Sequence, residues 1–349
     1  MRKILVTGTA GFIGFHLSRH LLDLGLEVTG VDVINDYYDT NIKKARLAQL
    51  GIVPEANTLV DSSTHAFRFI QADLTGTVMH DLMKAESYDA VVHLAAQAGV
   101  RYSLTEPMAY IDANITATLQ VLEACRHHPP QHLVYASSSS VYGLNTNIPH
   151  STQYGTNHPI SLYAATKKSN ELMAHAYSHL FGVPTTGLRF FTAYGPWGRP
   201  DMALFLFTKA IIEGQPIDLY NHGQMLRDFT YIDDIVKGIT AVMKKPAQPW
   251  DGFDPGNAPL PDRSSAPFRV LNIGISNPTE LIDYVREIEK NLGKEAKINY
   301  LPMQPGDVAA SFANVHELET EYGYKPKVLV QEGVKNFIDW YLWYYNIQL

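Results

Sequence analysis

Residues 3–14 read Lys-Ile-Leu-Val-Thr-Gly-Thr-Ala-Gly-Phe-Ile-Gly, and they predict how the chain begins to fold. The apolar run Ile4-Leu-Val6 has no helical period, which is typical of a strand buried on both faces. Gly8, Gly11 and Gly14 follow at three-residue spacing and lead into leucines that repeat with the period of a helix. Because glycine lacks a Cβ, its backbone amides can approach a phosphate at the positive end of that helix. The segment therefore predicts a phosphate-binding turn between a buried strand and the first helix.

An acidic residue ends the next predicted strand. Asp32 closes the segment Glu-Val-Thr-Gly-Val-Asp and lies 18 residues after Gly14. A carboxylate at this place accepts hydrogen bonds from a ribose 2′-hydroxyl and repels a 2′-phosphate, which favours NAD over NADP. The spacing G-x-x-G-x-x-G resembles the variant found in short-chain dehydrogenase/reductases. A glycine-rich turn without a ligand is the alternative, but the complete unit of strand, turn, helix and acid argues against it.

Strand and helix patterns alternate along the first half of the chain. They predict an α/β protein with a Rossmann-like, doubly wound parallel sheet and helices on both faces. After Arg189 the elements become shorter and prolines more frequent, which indicates a smaller, discontinuous C-terminal α/β substrate lobe. Residues 51–66 and 246–267 read as long loops. The predicted NAD-binding domain comprises 1–188, 226–248 and 268–276, and the predicted substrate lobe comprises 189–225, 249–267 and 277–349.

Composition excludes several classes of function. The formal net charge of −7 at pH 7 argues against a nucleic-acid partner, and no apolar run approaches the roughly 18–20 residues of a membrane span. The single cysteine, Cys125, cannot form a disulfide framework, and the chain starts directly on its first strand, so we expect no signal peptide and a cytoplasmic location. His175 and His179 are four residues apart, but no third ligand is evident, so we predict no metal site.

Tyr163 and Lys167 stand four residues apart at the start of a long predicted helix, where they share one face. A positive charge near a phenol favours the phenolate and lowers its pKa. Such a phenol can take a hydroxyl proton while hydride leaves the same carbon. Tyr-x-x-x-Lys pairs are common by chance, but this one follows the predicted fifth strand downstream of a glycine turn. That position favours the catalytic interpretation.

Serines and arginines provide candidates for substrate contacts. The run 137–140 is Ser-Ser-Ser-Ser directly after the predicted fifth strand, and ligands of open α/β sheets bind beyond such strand ends. A plain polar loop is the alternative. Arg189, Arg199 and Arg227 lie in the second half, and guanidinium forks match phosphate and carboxylate. A solvated surface charge is the usual role of a single arginine, but Arg199 and Arg227 lie in predicted loops that favour ligand contacts. Arg101 is a weaker candidate.

Longer motifs resemble a known family over nearly the whole chain. The chain is similar to the extended short-chain dehydrogenase/reductases that act on nucleotide sugars, the NAD-dependent epimerase/dehydratase family, and most closely to the UDP-glucuronate 4-epimerases. The resemblance rests on Asn35-Asp-Tyr-Tyr-Asp, His93-Leu-Ala-Ala-Gln-Ala-Gly-Val-Arg-Tyr-Ser, Ser161-Leu-Tyr-Ala-Ala-Thr-Lys-Lys and Arg189-Phe-Phe-Thr-Ala-Tyr-Gly-Pro-Trp-Gly-Arg-Pro-Asp-Met-Ala. The last of these motifs is the most specific.

The resemblance implies a role for each matching residue. Toward NAD, it implies that the pyrophosphate is lined by Gly8, Gly11, Phe12, Ile13 and Gly14. The adenosine ribose would be held by Asp32 and Asn35, and adenine would be flanked by Asp73 and Leu74. The path to the nicotinamide would be lined by Ala95, Ala96 and Gln97. Lys167 would bond the nicotinamide ribose, Tyr163 would be the base, and Ser138 would bridge Tyr163 and the sugar C4 hydroxyl. Toward the substrate, UDP would be held by Thr192, Arg227 and Asp307, with Arg199 near the sugar nucleotide.

The implied reaction interconverts UDP-glucuronate and UDP-galacturonate through a transient 4-keto sugar. That ketone is a β-keto acid, which tends to lose CO₂. Related decarboxylases and 4,6-dehydratases carry an acid just before Val-Tyr-Gly, where this chain has Ser139 and Ser140. Our hypothesis is that these serines hydrogen-bond the substrate carboxylate and hold it near the plane of the ketone, so that CO₂ is retained.

Alternative functions remain open at this stage. The first is another nucleotide-sugar enzyme of the same fold, such as a UDP-hexose 4-epimerase or a UDP-glucuronate decarboxylase. The second is an inactive dinucleotide-binding regulator, which could have lost Tyr163 or Lys167, although both are present. The resemblance also suggests a homodimer in which the predicted helices over 107–128 and 161–181 pair with their copies.

Overall fold

The computed structural model describes residues 1–257, 260–304 and 307–349. Its strands are β1 (Lys3–Thr7), β2 (Glu27–Asp32), β3 (Leu59–Asp61), β4 (Phe67–Gln71), β5 (Ala90–His93), β6 (His132–Ser138), β7 (Thr185–Phe190), β8 (Thr192–Tyr194), β9 (Pro216–Leu219), β10 (Leu226–Arg227), β11 (Phe229–Tyr231), β12 (Phe268–Ile273), β13 (Thr279–Glu280), β14 (Lys297–Tyr300) and β15 (Ala310–Ser311). Its α-helices are α1 (Phe12–Asp23), α2 (Thr40–Gln49), α3 (Val78–Ala85), α4 (Pro107–Tyr110), α5 (Ala117–His127), α6 (Leu162–Phe181), α7 (Ala203–Ile212), α8 (Ile232–Met243), α9 (Leu281–Leu292), α10 (His316–Tyr322) and α11 (Val330–Tyr344).

The main sheet is doubly wound, as predicted. Among the described residues, its eight strands lie in the order β12-β7-β6-β5-β1-β2-β4-β3. Every neighbouring pair is parallel except β3 and β4. The prediction of a loop over residues 51–66 was wrong in part, because Leu59–Asp61 pairs with Arg68–Ile70 and covers the open edge of the sheet. The strand order reverses between β5 and β1, and such a switch leaves a crevice beyond the carboxyl ends of the strands.

The glycine turn between β1 and α1 has little free space around it. Gly8 has a φ of +78°, and a Cβ on it would lie 2.7 Å from the backbone nitrogen of Ala95. A Cβ on Gly14 would overlap the carbonyl oxygen of Gly8. Only glycine therefore lets the first turn of α1 pack against the end of β1 and against the loop after β5.

Helices cover both faces of the sheet. Ile4 and Val6 pack into a core that includes Phe15 of α1, whereas Leu5 between them packs into a core that includes Cys125 of α5. All five side chains are fully buried. The apolar run that begins the chain therefore forms a strand buried on both faces, as predicted.

The second half of the chain both extends the sheet and leaves it. After the proline-rich loop, β12 pairs with β7, while β8 to β11 and β13 to β15 form small separate sheets among the described residues. The aromatic helix α11 packs on α9 and buries Phe337, Trp340 and Tyr341, as predicted for a packed helix. Within the described ranges, every helix is too short or too polar to cross a membrane.

Candidate active site

A large cavity opens at the carboxyl ends of the central strands. Its volume is about 1240 Å³, and it extends from the glycine turn to the small sheets of the second half. Every candidate cofactor-binding, catalytic and substrate-binding residue lines it. In chain order these are Gly8, Gly11, Phe12, Ile13, Gly14, Asp32, Asn35, Asp73, Leu74, Ala95, Ala96, Gln97, Arg101, Ser138, Ser139, Ser140, Tyr163, Lys167, Thr192, Arg199, Arg227 and Asp307. The structure thus brings together residues from widely separated parts of the sequence.

The dinucleotide end of the cavity is built around Asp32. Its carboxylate accepts hydrogen bonds from the backbone N–H groups of Ala10 at 3.0 Å and Ile34 at 2.8 Å, so it also holds the glycine turn in place. Burial raises the pKa of Asp32, and these N–H groups together with the nearby ammonium of Lys43 oppose the rise. A bare glycine backbone beside a carboxylate at the end of β2 fits a dinucleotide with a free ribose 2′-hydroxyl.

Lys43 is a site residue that the sequence analysis missed. It lies on α2, and its Nζ donates to the backbone oxygen of Asn35 at 2.6 Å and to Asn35 Oδ1 at 2.5 Å. Burial lowers the pKa of Lys43, while the Asp32 carboxylate opposes the shift. This lysine therefore fixes the loop after β2 and places a positive charge beside the predicted ribose site. The only signal in the sequence was its place on a short helix after an acidic loop, which is equally typical of a solvated lysine.

The candidate catalytic residues come from adjacent elements. Tyr163 and Lys167 lie in the first turns of α6, whose cap is Ser161, with its side chain accepting from the Ala164 N–H at 3.1 Å. Ser138 ends β6, and its Oγ accepts from the Ser140 N–H at 3.1 Å. Strand β6 and helix α6 therefore deliver a hydroxyl, a phenol and an ammonium to one wall of the cavity.

Burial governs the titration of Tyr163 and Lys167. It raises the pKa of the Tyr163 phenol, and the hydroxyl of Ser138 and the charge of Arg199 only partly oppose this. It lowers the pKa of Lys167 to about 8, and Lys167 Nζ donates to the carbonyl oxygen of Ala136 at 2.9 Å. In the chain by itself the Tyr163 pKa is thus raised, contrary to the lowering that we predicted, because burial outweighs the influences that oppose it.

The buried ammonium of Lys167 should make the stability of the cofactor-free protein depend on pH. Its pKa is about 8 in the folded chain against an ordinary 10.5, so the unfolded chain binds more protons between these values. The free energy of unfolding should therefore rise from pH 8 to pH 10.5, and the destabilisation should be complete below pH 8. Urea unfolding across this window should show the rise in the wild type and a smaller one in Lys167→Met. Equal slopes in the two proteins would contradict the assignment.

An asparagine missed in the sequence analysis joins the loop after β5 to α6. Asn114 lies in a π-helical turn, Ile111–Thr116, which interrupts the single helix predicted over 107–128. Its Oδ1 accepts from the Gln97 N–H at 2.8 Å, and its Nδ2 donates to Gln97 O at 3.1 Å and Thr166 Oγ1 at 3.0 Å. Asparagine is unfavourable in a helix interior by intrinsic propensity, so its place in a predicted helix was the signal available in the sequence. The structure adds that Asn114 is fully buried.

A buried ion pair lies between α6 and β7 and contacts the end of β6, beside the cavity wall that carries the catalytic candidates. Glu171 of α6 accepts from Arg189 Nε at 2.8 Å and from Arg189 Nη2 at 2.9 Å. Its Oε1 also accepts from Ser137 Oγ at 2.7 Å. Burial alone would raise the pKa of Glu171, but the guanidinium outweighs this and lowers it to about 2. Arg189 is therefore neither a ligand contact nor a solvated charge, since it is fully buried against the carboxylate.

Three of the candidate substrate residues, Arg101, Arg227 and Asp307, form a group at the far end of the cavity. Arg227 of β10 donates to the carbonyl oxygens of Leu226 at 3.0 Å and Ala309 at 3.3 Å. Burial lowers the pKa of Arg227, and the Asp307 carboxylate opposes the shift. Arg101, from the loop after β5, lies 3.5 Å from Asp307. Asp307 therefore pairs with one guanidinium group and acts electrostatically on a second, and guanidinium groups suit an anionic ligand.

Known proteins resemble this chain over nearly its whole length. Protein CapI of Staphylococcus aureus is 54% identical over 99% of this chain and 99% of that protein. A probable UDP-glucuronate 4-epimerase of Rhizobium meliloti (strain 1021) is 46% identical over 97% of this chain and 96% of that protein. The crystal structure of UDP-glucuronic acid 4-epimerase from Bacillus cereus, in complex with UDP-glucuronic acid and NAD, is similar with a TM-score of 0.83. It is 33% identical and the match covers 97% of this chain and 98% of that one.

The family assignment agrees with the geometry of the cavity. A model of the NAD dependent epimerase/dehydratase family matches residues 4–252, which is well over half of the chain. The matched region contains all of β1 but its first residue, the glycine turn, the end of β6 and the start of α6. The chain belongs to the NAD dependent epimerase/dehydratase family.

Proposed function

We propose that this protein catalyses the NAD-dependent 4-epimerisation of UDP-glucuronate to UDP-galacturonate. The observation that carries the proposal is one cavity in which Ser138, Tyr163 and Lys167 lie between the Asp32 end and the Arg227 end. The similarity to an epimerase solved with UDP-glucuronic acid and NAD supports the choice of sugar.

The chain's own residues would move the proton. When bound, NAD supplies the reversible oxidation of the sugar at C4. Tyr163 Oη takes the proton of the C4 hydroxyl as that carbon becomes a ketone, and Ser138 Oγ bridges the phenol and the same oxygen. After the ketone has presented its other face, Tyr163 returns the proton to the C4 oxygen. Lys167 would bond the nicotinamide ribose, and its positive charge would then lower the pKa that burial raises in the Tyr163 phenol.

The opposite end of the cavity would hold UDP. Arg227 and Asp307 come from the small sheet and the segment before it, and Thr192 begins the neighbouring strand β8. The backbone N–H of Thr192 donates to Asp228 O at 3.1 Å, which fixes its place while leaving the side chain on the cavity wall. A diphosphate that binds Arg227 and Arg101 would therefore place the sugar toward Tyr163.

Incubation with UDP-glucuronate and no added NAD tests the proposal. The products are separated by chromatography for UDP-galacturonate and UDP-pentose, with UDP-glucose as a parallel neutral substrate. We expect UDP-galacturonate at an equilibrium ratio, reached also from UDP-galacturonate. Turnover of UDP-glucose alone would identify a UDP-hexose epimerase, and accumulation of UDP-pentose would identify a decarboxylase.

Ser139 and Ser140 are proposed to bind the uronate carboxylate. Both are half-buried on the cavity wall, in the short 3₁₀ turn that follows Ser138. In a 4-keto uronate, a carboxylate held near the plane of the ketone has its C5–carboxylate bond poorly aligned with the carbonyl π system, and CO₂ is retained. Exchange of both serines for glutamate would repel the carboxylate and free it to rotate.

We therefore expect the double variant Ser139→Glu, Ser140→Glu to yield UDP-pentose at the expense of UDP-galacturonate. Chromatography of the nucleotide sugars, with released CO₂ measured in parallel, follows the partition. The control is Ser63→Glu in the exposed loop before β4, which should give the wild-type product alone. An unchanged yield of UDP-galacturonate without pentose from the double variant would refute the role of these serines.

A homodimer is the proposed assembly. The helices α4 to α6 leave large apolar side chains exposed on the surface, namely Met108, Leu119, Leu172 and Leu180. An apolar surface on neighbouring helices is typical of a symmetric interface. Leu172→Glu with Leu180→Glu should therefore elute at the monomer mass in size-exclusion chromatography with light scattering. Leu329→Glu, an equally drastic change at the start of α11, should elute with the wild type, and identical elution of all three proteins would exclude this interface.

Two further assignments are part of the proposal. We propose the division into an NAD-binding domain of 1–188, 226–248 and 268–276 and a UDP-sugar-binding lobe of the remaining residues. The pairing of β12 with β7 and the packing of α8 on α1 support it. We also propose a cytoplasmic location, which the single, buried and unpaired Cys125 supports.

A further inference from the structure

One hydrogen bond joins two distant segments that both line the cavity. Tyr37 lies in the loop after β2 that also carries Asp32 and Asn35, and its Oη donates to Asp201 Oδ2 at 3.1 Å. Asp201 lies in the loop between β8 and α7. The contact therefore joins the loop beside the predicted adenosine ribose to the segment that ends the most specific family motif.

Charge makes this bond stronger than an ordinary one between neutral groups. Arg199 Nε donates to Asp201 Oδ1 at 3.0 Å, and although burial alone would raise the pKa of Asp201, the guanidinium keeps it below its usual value. Burial and the Asp201 charge raise the pKa of Tyr37 to about 12, so the phenol remains a donor near neutral pH. A phenol that donates to an ionised carboxylate forms a charge-assisted hydrogen bond.

A buried arginine holds the base of both loops. Arg46 is fully buried, and its Nη1 donates to Ala10 O at 2.9 Å in the glycine turn. Its Nη2 donates to Trp197 O at 2.6 Å and Gly198 O at 3.0 Å, directly before the Arg199 segment. Its Nη1 also donates to Tyr38 Oη at 2.8 Å, and Tyr38 is the residue directly after Tyr37. Because these bases are fixed to one another, the half-buried hydrogen bond between Tyr37 and Asp201 is the part that can open.

We propose that the hydrogen bond between Tyr37 and Asp201 is a latch that slows the release of NAD. The proposal rests on the use of NAD in the proposed function, in which the cofactor is regenerated at each cycle and turnover does not require its release. The latch lies between the loop that would hold the adenosine ribose and the wall that carries Arg199. Opening this contact would therefore be a required step for a dinucleotide to leave, and Tyr37 would be a positioning residue with no part in the chemistry.

The test measures NAD release in the holoenzyme, independently of sugar turnover. The purified protein is mixed with excess 1,N⁶-etheno-NAD, and exchange is followed by fluorescence. A hydrogen bond to a charged partner is worth enough for Tyr37→Phe to accelerate release about tenfold to a hundredfold. Asp201→Asn, which removes the charge, should accelerate release in the same direction and serves if Tyr37→Phe does not fold.

The matched control is Tyr102→Phe. The Tyr102 ring lies 4.8 Å from the Tyr37 ring, but the bridge to Asp201 does not include its hydroxyl. Its release rate should equal that of the wild type. Equal release from Tyr37→Phe and the wild type, or an equal acceleration in Tyr37→Phe and Tyr102→Phe, would overturn the latch. A wild type that binds NAD and epimerises while failing this test leaves the proposed function intact, whereas a wild type that binds no NAD would refute both.

Discussion

Tyr163→Phe should lower the rate of epimerisation by about a thousandfold, since the variant loses the group that takes the C4 proton. The phenyl ring keeps the packing of the first turn of α6, and the glycine turn between β1 and α1 is unchanged. The variant should therefore still contain NAD, measured as dinucleotide released by denaturation. Initial rates from UDP-glucuronate, followed by chromatography, give the loss of activity.

A neighbouring tyrosine provides the control for this loss. The ring centroid of Tyr110 lies 6.0 Å from that of Tyr163, but the Tyr110 hydroxyl bonds the backbone carbonyls of Ala98 and Gly99. Tyr110→Phe should turn over at a rate far closer to the wild type than Tyr163→Phe does. Turnover of Tyr163→Phe within about tenfold of the wild type would be too fast for an enzyme without its base, and would reject this assignment.

Glu171→Gln should produce the largest loss of stability, about 3–5 kcal/mol in the free energy of unfolding. The change leaves the Arg189 guanidinium fully buried without its carboxylate, and it also weakens the hydrogen bond to Ser137. Because Glu171 lies one turn beyond Lys167 and contacts the end of β6, activity should fall together with stability. Urea unfolding with far-UV circular dichroism measures the first effect, and the initial rate measures the second.

An exposed ion pair is the control for the contribution of the buried pair to the free energy of unfolding. Asp283 and Arg286 form a pair on α9 at 2.8 Å, with both side chains more than half exposed. Asp283→Asn should change the free energy of unfolding by no more than about 1 kcal/mol, as is usual for pairs in water. If Glu171→Gln unfolds at the same urea concentration as Asp283→Asn, the buried pair does not stabilise this wall.

Local sequence patterns predicted the frame of the molecule. The glycine turn, the buried run around Leu5 and the alternation of strands and helices follow from steric and apolar patterns within short segments. The same logic placed Tyr163 and Lys167 on one helix face after a central strand, at the edge where ligands bind. The residue patterns also indicated Asp32, the serine run 137–140 and the candidate arginines, and the resemblance supplied the remaining candidates. Their placement around one cavity is a property of the structure, while their individual roles remain predictions.

Contacts between distant segments could not be read in this way. Arg46 lies on a helix rich in lysine and arginine, where an exposed side chain is the ordinary expectation, yet it bonds a carbonyl 36 residues earlier and others about 150 residues later. Glu171 and Arg189 pair across α6 and β7, and neither segment alone indicates the partner. The edge strand β3 is three residues long and gains its conformation from β4. In each case a tertiary contact determines the burial, the partner or the conformation of the residues, and local propensity does not encode that contact.

The position of Cys125 has a practical consequence. Its thiol is fully buried in the core beneath α5, and burial raises the pKa of Cys125, so the reactive thiolate is suppressed in the native state. Maleimide dyes should leave the native protein unlabelled. Cysteines introduced for the exposed Val53 and Tyr300 would then be the reactive positions, and energy transfer between two fluorophores there would report the distance between these two positions in single molecules during turnover.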